Sequence, residues 1–176
     1  MSTSIKNICC IGAGYVGGPS MAVIAAHCPN LQINVVDRNK DRIDAWNSIS
    51  LDDLPVYEPG LKTIISRFRG INLHFSIDIE KHISEADMVF ISVNTPTKVK
   101  GIGAGQASDL KWIESCARQI GTYAKGSTII VGQRTISGQK QLSGAEAFTA
   151  ISDQASRVAT TLLSLTLLIN QTNNAK

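Results

Sequence analysis

Short apolar runs alternate along this chain with longer segments whose apolar residues recur every three or four positions, the rhythm of strands packed under helices. Ile8, Cys9, Cys10 and Ile11 form the first run, without charge, as expected of a strand buried on both faces. A helical pattern follows, and residues 32–37 read as the second strand, closed by Asp37. Residues 41–46 continue as a helix that Asn39 is placed to cap. Residues 48–58 are a polar, proline-bearing loop, and Pro59 suits the first turn of a helix running to Phe68, where its missing N–H costs nothing. Residues 72–76 read as a third strand, Asp78 as the cap of a short helix reaching Ala86, and residues 88–93 as a fourth, buried strand. The glycine-bearing stretch 98–108 is a loop; Asp109 then caps a helix with Leu110, Ile113, Ala117 and Ile120 on one face, and residues 128–131 make a fifth strand. This order predicts an α/β fold, a Rossmann-like doubly wound parallel sheet.

The pattern changes after Val131. Residues 132–144 are polar with no period, and residues 148–169 are helix-like, becoming strongly apolar from Val158 to Ile169. That apolar core falls short of the roughly 20 residues a membrane span needs, so a helix covering a sheet face is the expectation. Two regions follow: 1–131, a dinucleotide-binding domain, and 132–176, a divergent tail of loop plus one apolar helix. With no β-branched run beyond residue 131, the sheet is expected to be incomplete after its fifth strand.

The first strand runs into Gly12-Ala13-Gly14-Tyr15-Val16-Gly17. A Gly-x-Gly-x-x-Gly stretch between a strand and a helix is the context in which that motif binds a dinucleotide. Gly12 serves the tight turn, Gly14 the approach of a pyrophosphate, and Gly17 the packing of helix on strand. The helix then presents its free N–H groups and positive dipole end to the phosphates. Asp37 is placed to accept hydrogen bonds from an adenosine ribose and to repel a 2′-phosphate, which favours NAD over NADP. Arg38, beside it, works the other way, since an arginine there is able to hold that phosphate.

Composition narrows the partners. The 176 residues carry a net charge of +3, with 43% hydrophobic and 18% charged residues, an ordinary globular balance. No Lys/Arg block and no basic–aromatic interleaving points to nucleic acid. Cys9, Cys10, Cys28 and Cys116 lack metal-ligand spacing, so no metal is expected, and the adjacent pair reads as small apolar residues in a reducing compartment. The polar residues 1–6 lead straight into the first strand with no signal-peptide core. A cytoplasmic protein, neither membrane-bound nor secreted, is the expectation.

Several segments together resemble the UDP-glucose 6-dehydrogenases of the UDP-glucose/GDP-mannose dehydrogenase family. They are residues 8–19; Val35-Val36-Asp37 with Arg42, Trp46, Asn47 and Ser48; Leu54-Pro55-Val56-Tyr57-Glu58-Pro59-Gly60-Leu61; and Arg69, Gly70, Asn72, Leu73, Phe75 and Ser76. Glu85-Ala86-Asp87, Phe90-Ile91-Ser92-Val93-Asn94-Thr95-Pro96-Thr97-Lys98 and Asp109-Leu110-Lys111-Trp112-Ile113-Glu114 complete the series. The resemblance implies NAD-dependent oxidation of UDP-glucose to UDP-glucuronate, in nucleotide-sugar metabolism. It also implies that Gly12 to Gly17, Asp37, Arg42 and the segment Val93, Asn94, Thr95, Pro96 and Thr97 hold the cofactor. The last segment leaves the carboxyl end of a strand near the switch point of the sheet, where ligands of open α/β sheets lie.

The departures bear on mechanism. Where the family has Glu-Lys-Ser-Thr-Val-Pro-Val after the fifth strand, this chain has Gly132-Gln133-Arg134-Thr135-Ile136-Ser137-Gly138, and only Thr135 matches, as a further cofactor contact. From about Gly138 onward the chain is unlike the family, and the family's catalytic cysteine and UDP-sugar domain have no counterpart. No catalytic residue is therefore assigned. The expectation is the NAD-binding N-terminal portion of such an enzyme, truncated and inactive alone, with UDP-glucose a partner only of a full-length member. The family is oligomeric, but this chain lacks its central domain. The alternative is a non-catalytic NAD-binding or regulatory module.

Overall fold

A computed structural model describes residues 5–94, 96 and 110–132. Its element order is β1 (Asn7–Ile11), α1 (Gly17–His27), β2 (Gln32–Val36), α2 (Lys40–Asn47), a 3₁₀ turn (Leu51–Asp53), α3 (Leu61–Phe68), β3 (Leu73–Ser76), α4 (Ile79–Ser84), β4 (Met88–Ile91), α5 (Lys111–Tyr123) and β5 (Ile129–Gly132). The five strands are all parallel, in the order β3-β2-β1-β4-β5. This is the expected doubly wound sheet, with its switch point between β1 and β4.

Alternation along the strands divides the core in two. Ile8 and Cys10 of β1, Ile33 and Val35 of β2 and Leu73 and Phe75 of β3 pack with residues of α1, α2 and α3 on one face. Cys9 and Ile11 of β1, Val36, Val89, Ile91 and Ile130 pack with Ile83, Cys116 and Ile120 of α4 and α5 on the other. Both faces of β1 are covered, so its side chains have no polar alternation to obey. Asp87 fixes the start of that strand: its Oδ2 accepts from the N–H groups of Lys6 at 2.8 Å and Asn7 at 2.9 Å.

Trp46 closes the first face. It is fully buried, stacks on Phe75 with ring centres 4.6 Å apart, and donates its indole N–H to the Ala13 carbonyl at 2.9 Å. The aromatic contact is worth about 0.5–1.5 kcal/mol beyond area burial. Gly18 of α1 lies flat against this ring: a Cβ there would stand 2.1 Å from Trp46 Cζ2.

Most predicted boundaries hold within two residues, and two caps are as expected. The Asn39 side chain accepts from Arg42 N–H at 3.0 Å, and Asp78 from Lys81 N–H at 3.2 Å. The third helix differs. Pro59 stands outside it, because Gly60 adopts a left-handed φ of 83° and caps the helix that begins at Leu61. β4 ends at Ile91, two residues earlier than expected, where β1 turns away at Gly12. α5 begins after Leu110 with no side-chain cap from that residue, and Asp109, its expected cap, lies outside the described residues. The expectations for loop 98–108 and for residues 133–176 also lie outside them. No helix among the described residues is long and apolar enough to cross a membrane.

Replacing Gly18 by alanine is expected to force the Trp46 ring out of its stack and to cost about 1–3 kcal/mol, the usual penalty of overpacking. Urea denaturation checks it: the midpoint falls while the slope is unchanged. An unchanged midpoint would show that the ring has room to move.

Candidate functional site

The carboxyl ends of β1, β2 and β4 open into a crevice of about 1300 Å³. Its walls bring together Gly12, Gly14, Tyr15, Val16, Asp37, Arg42, Val93 and Asn94, residues separated by up to 82 positions in the chain. Of the other sequence-predicted positions, Ala13 and Gly17 are buried beneath the turn, and Pro96 is exposed and is not part of the lining. Thr95, Thr97 and Thr135 lie outside the described residues.

Sterics set the shape of the floor. Gly12 has φ of 112°, and a Cβ there would meet the Ser92 carbonyl oxygen at 2.4 Å, so the β1 turn passes against β4 with no space for a side chain. A Cβ on Gly17 would lie 2.0 Å from the Gly12 carbonyl oxygen. Gly14 is different: no described residue lies within 4 Å of the same position, and its backbone lines the crevice. Above it α1 begins without a side-chain cap and with no acidic residue in its first turn. An uncapped helix start with open backbone before it accepts a phosphate.

Asp37 joins β2 to this floor. Its Oδ2 accepts from the Ala13 N–H at 3.0 Å, linking the glycine turn to the second strand, and its Oδ1 accepts from the Asn39 N–H at 2.9 Å. Arg42 Nη1 lies 2.9 Å from the same Oδ2, and the Asp37 side chain is 13% exposed. Burial pushes the Asp37 pKa up, but the N–H groups of Asn39 and Ala13 and the Arg42 guanidinium outweigh it and hold it below the usual value. The crevice therefore contains a firmly ionised carboxylate.

Two features, and a second role for Asn39 beyond its expected cap, were not assigned from the sequence. The Ser92 Oγ is buried beside the glycine turn with no hydrogen-bond partner among the described residues, 3.1 Å from where a Gly17 Cβ would be. Serine at a strand end carries no pattern that sets it apart from a sheet residue. Trp112, Ser115, Cys116 and Gln119 bring α5 into the lining, because the crevice borders the helix that crosses from β4 to β5. Asn39 serves twice, as the cap of α2 and as a backbone donor to Asp37.

The four cysteines do not supply a poised nucleophile. Burial raises Cys9 to about 12 and Cys116 to about 11, and pushes Cys10 up as well. Cys28 is exposed, but it lies at the far end of α1, a helix of 11 residues that starts at the crevice and spans about 16 Å. Among the described residues no group of His, Cys, Asp and Glu could hold a metal ion.

Comparison with known proteins agrees with this geometry. Residues 6–162 match the model of the NAD binding domain of the UDP-glucose/GDP-mannose dehydrogenase family. UDP-glucose 6-dehydrogenase 5 of Oryza sativa subsp. japonica is 57% identical over 129 residues, 73% of this chain and 26% of that protein. The UDP-glucose 6-dehydrogenase of Gallus gallus is 58% identical over 132 residues, 75% of this chain and 26% of that protein. The chain thus spans about a quarter of the length of these relatives. Among solved structures, a ternary complex of GDP-mannose dehydrogenase from Pseudomonas aeruginosa superposes with a TM-score of 0.62 at 28% identity, over 74% of this chain and 28% of that one. A UDP-glucose dehydrogenase from Pyrobaculum islandicum shares the fold, with a TM-score of 0.63 at 22% identity over 85% of this chain and 33% of its own.

The Asp37 interactions imply an acid dependence. With its folded pKa lowered, Asp37 contributes stability above the unfolded value of 3.8, and that contribution is lost as pH falls through the lower folded value. Asp37→Asn is expected to be less stable than wild type at pH 7 by on the order of 1 kcal/mol. The difference should shrink as pH falls below about 3.8. Denaturation midpoints across that range measure it; parallel curves at all pH values would remove Asp37 from the stabilising set.

Proposed function

The chain belongs to the UDP-glucose/GDP-mannose dehydrogenase family and carries its NAD-binding domain, and on that footing we propose that the dinucleotide lies along the crevice between the carboxyl ends of β1, β2 and β4. The pyrophosphate rests over Gly12, Ala13, Gly14, Tyr15, Val16 and Gly17, at the uncapped start of α1. The adenosine ribose meets Asp37, with Arg42 beside it. The nicotinamide half extends toward Val93, Asn94, Thr95, Pro96 and Thr97, with Thr135 as a further contact. The observation that carries this reading is the bond between Asp37 Oδ2 and the Ala13 N–H, which fixes the ribose-binding acid against the phosphate-binding turn. The open backbone at Gly14, beside the start of α1, fits a phosphate-bearing ligand.

Bound NAD supplies a hydride acceptor. This chain's own residues orient it: the glycine turn and α1 hold the phosphates, and the ionised Asp37 sets the ribose and repels an added 2′-phosphate. The cofactor-binding unit is residues 1–131, which contain every described residue of the crevice lining, and residues 132–176 form the tail, from which Thr135 is the one contact proposed. We assign the whole protein the oxidation of UDP-glucose to UDP-glucuronate, with this portion holding the cofactor and no catalytic residue of its own. A covalent step on cysteine needs an accessible thiolate. The buried thiols of Cys9, Cys10 and Cys116 and the remote Cys28 do not provide one.

Calorimetric titration should show NAD binding more tightly than NADP, and Asp37→Ala should narrow that gap by weakening NAD more than NADP. Asp37→Asn retains an acceptor for Ala13 and separates the charge from the local fold. Equal affinities in wild type, or tighter NADP, would overturn the assignment of Asp37 to the ribose. The purified 176-residue chain should also form no NADH from NAD and UDP-glucose, followed by absorbance. A UDP-glucose-dependent rise would place chemistry in this portion after all.

A further inference from the structure

Arg38 and Trp112 face each other across the crevice. Arg38 follows Asp37 at the end of β2, and Trp112 is the second residue of α5. The Arg38 guanidinium carbon stands 4.5 Å from the centre of the Trp112 ring, and both side chains line the crevice. Lys111 Nζ approaches the same ring at 5.2 Å. The contact joins two elements that the sheet leaves on opposite sides of its switch point. Its position matters, because Arg38 adjoins Asp37, the proposed ribose-binding acid, in the lining of the same crevice.

Resting on the reading of the crevice as the NAD site, we propose that Arg38 is the platform on which the adenine stacks, and that Trp112 is the positioning residue that holds that platform in place. The layers are indole, guanidinium and purine. A guanidinium is planar, weakly hydrated and stacks on aromatic faces, so one plane is able to serve both neighbours. An exposed arginine alone would lose much rotamer freedom on capturing a base. Contact with Trp112 removes part of that freedom before the ligand arrives, which is preorganisation. The adenine end is then recognised by a stacked plane rather than by hydrogen bonds to its edge.

The experiment uses the full chain and two ligands, NAD and ADP-ribose, titrated by calorimetry. Arg38→Ala and Trp112→Ala are each expected to weaken both ligands by the same factor, roughly tenfold, the scale of losing one base-stacking partner. Because Trp112 acts through Arg38, the double variant should be no weaker than Arg38→Ala. Trp112→Phe should keep most of the affinity, and Arg38→Lys, which retains charge but not the plane, should not. ADP-ribose should change the indole emission of wild type more than that of Trp112→Phe, whose remaining tryptophan, Trp46, is fully buried and does not line the crevice. Full affinity in Arg38→Lys would make Arg38 a point charge for phosphate and overturn the stack. Unchanged affinity in Trp112→Ala would overturn the role of the indole. If these variants bind like a wild type that itself binds NAD, this inference fails and the cofactor site stands. A wild type that binds neither ligand overturns both.

Discussion

The whole arrangement depends on a contact with no side chain in it. At the carboxyl end of β1 the chain turns at Gly12 so close to the Ser92 carbonyl that even a methyl group is excluded, and Gly17 is pressed equally hard against the Gly12 carbonyl. These approaches bring the start of α1 onto the sheet at the gap between β1 and β4. The crevice exists because the helices on either side of that gap leave in opposite directions, and the dipole of α1 points into it. A larger residue at either glycine would move the helix and the site together.

Polar groups then fix what the close packing leaves free. Ala13 is held from both sides, its N–H by Asp37 and its carbonyl by the Trp46 indole. Its two partners come from β2's end and from α2, and Trp46 in turn stacks on Phe75 of β3. One short turn is therefore braced by three successive elements of the same half of the sheet. This is why the phosphate-binding backbone belongs to the rigid part of the molecule, even though it is formally a loop.

Local chemistry made much of this legible from the residues. The caps at Asn39 and Asp78 could be read because a cap and its helix are neighbours in the chain. The glycine turn and Asp37 could be read because strand, turn, helix and acid follow in a fixed order. Pro59 misled, since nothing in its own chemistry shows that Gly60 takes up a left-handed turn first and starts the helix later. Trp112 and Ser92 were not assigned for another reason. Their significance comes from neighbours far away in sequence, Arg38 for one and the glycine turn for the other, and only the parallel register brings them together. The same holds for Asp87, whose carboxylate secures the start of β1 from 80 residues away.

The strand order has a further consequence for biosynthesis. β1 is the central strand of the described sheet and yet the first to be made, and one of its two edges is completed only by β4, from Met88 to Ile91. At translation rates of about 5–20 residues per second, the chain emerging from the ribosome carries an uncharged apolar strand with one edge unpaired for roughly 4–16 s. Few strands are less suited to waiting in water. A nascent chain of this design invites shielding by chaperones bound near the ribosome, and a pause in translation between residues 32 and 88 would lengthen the interval in which that shielding matters.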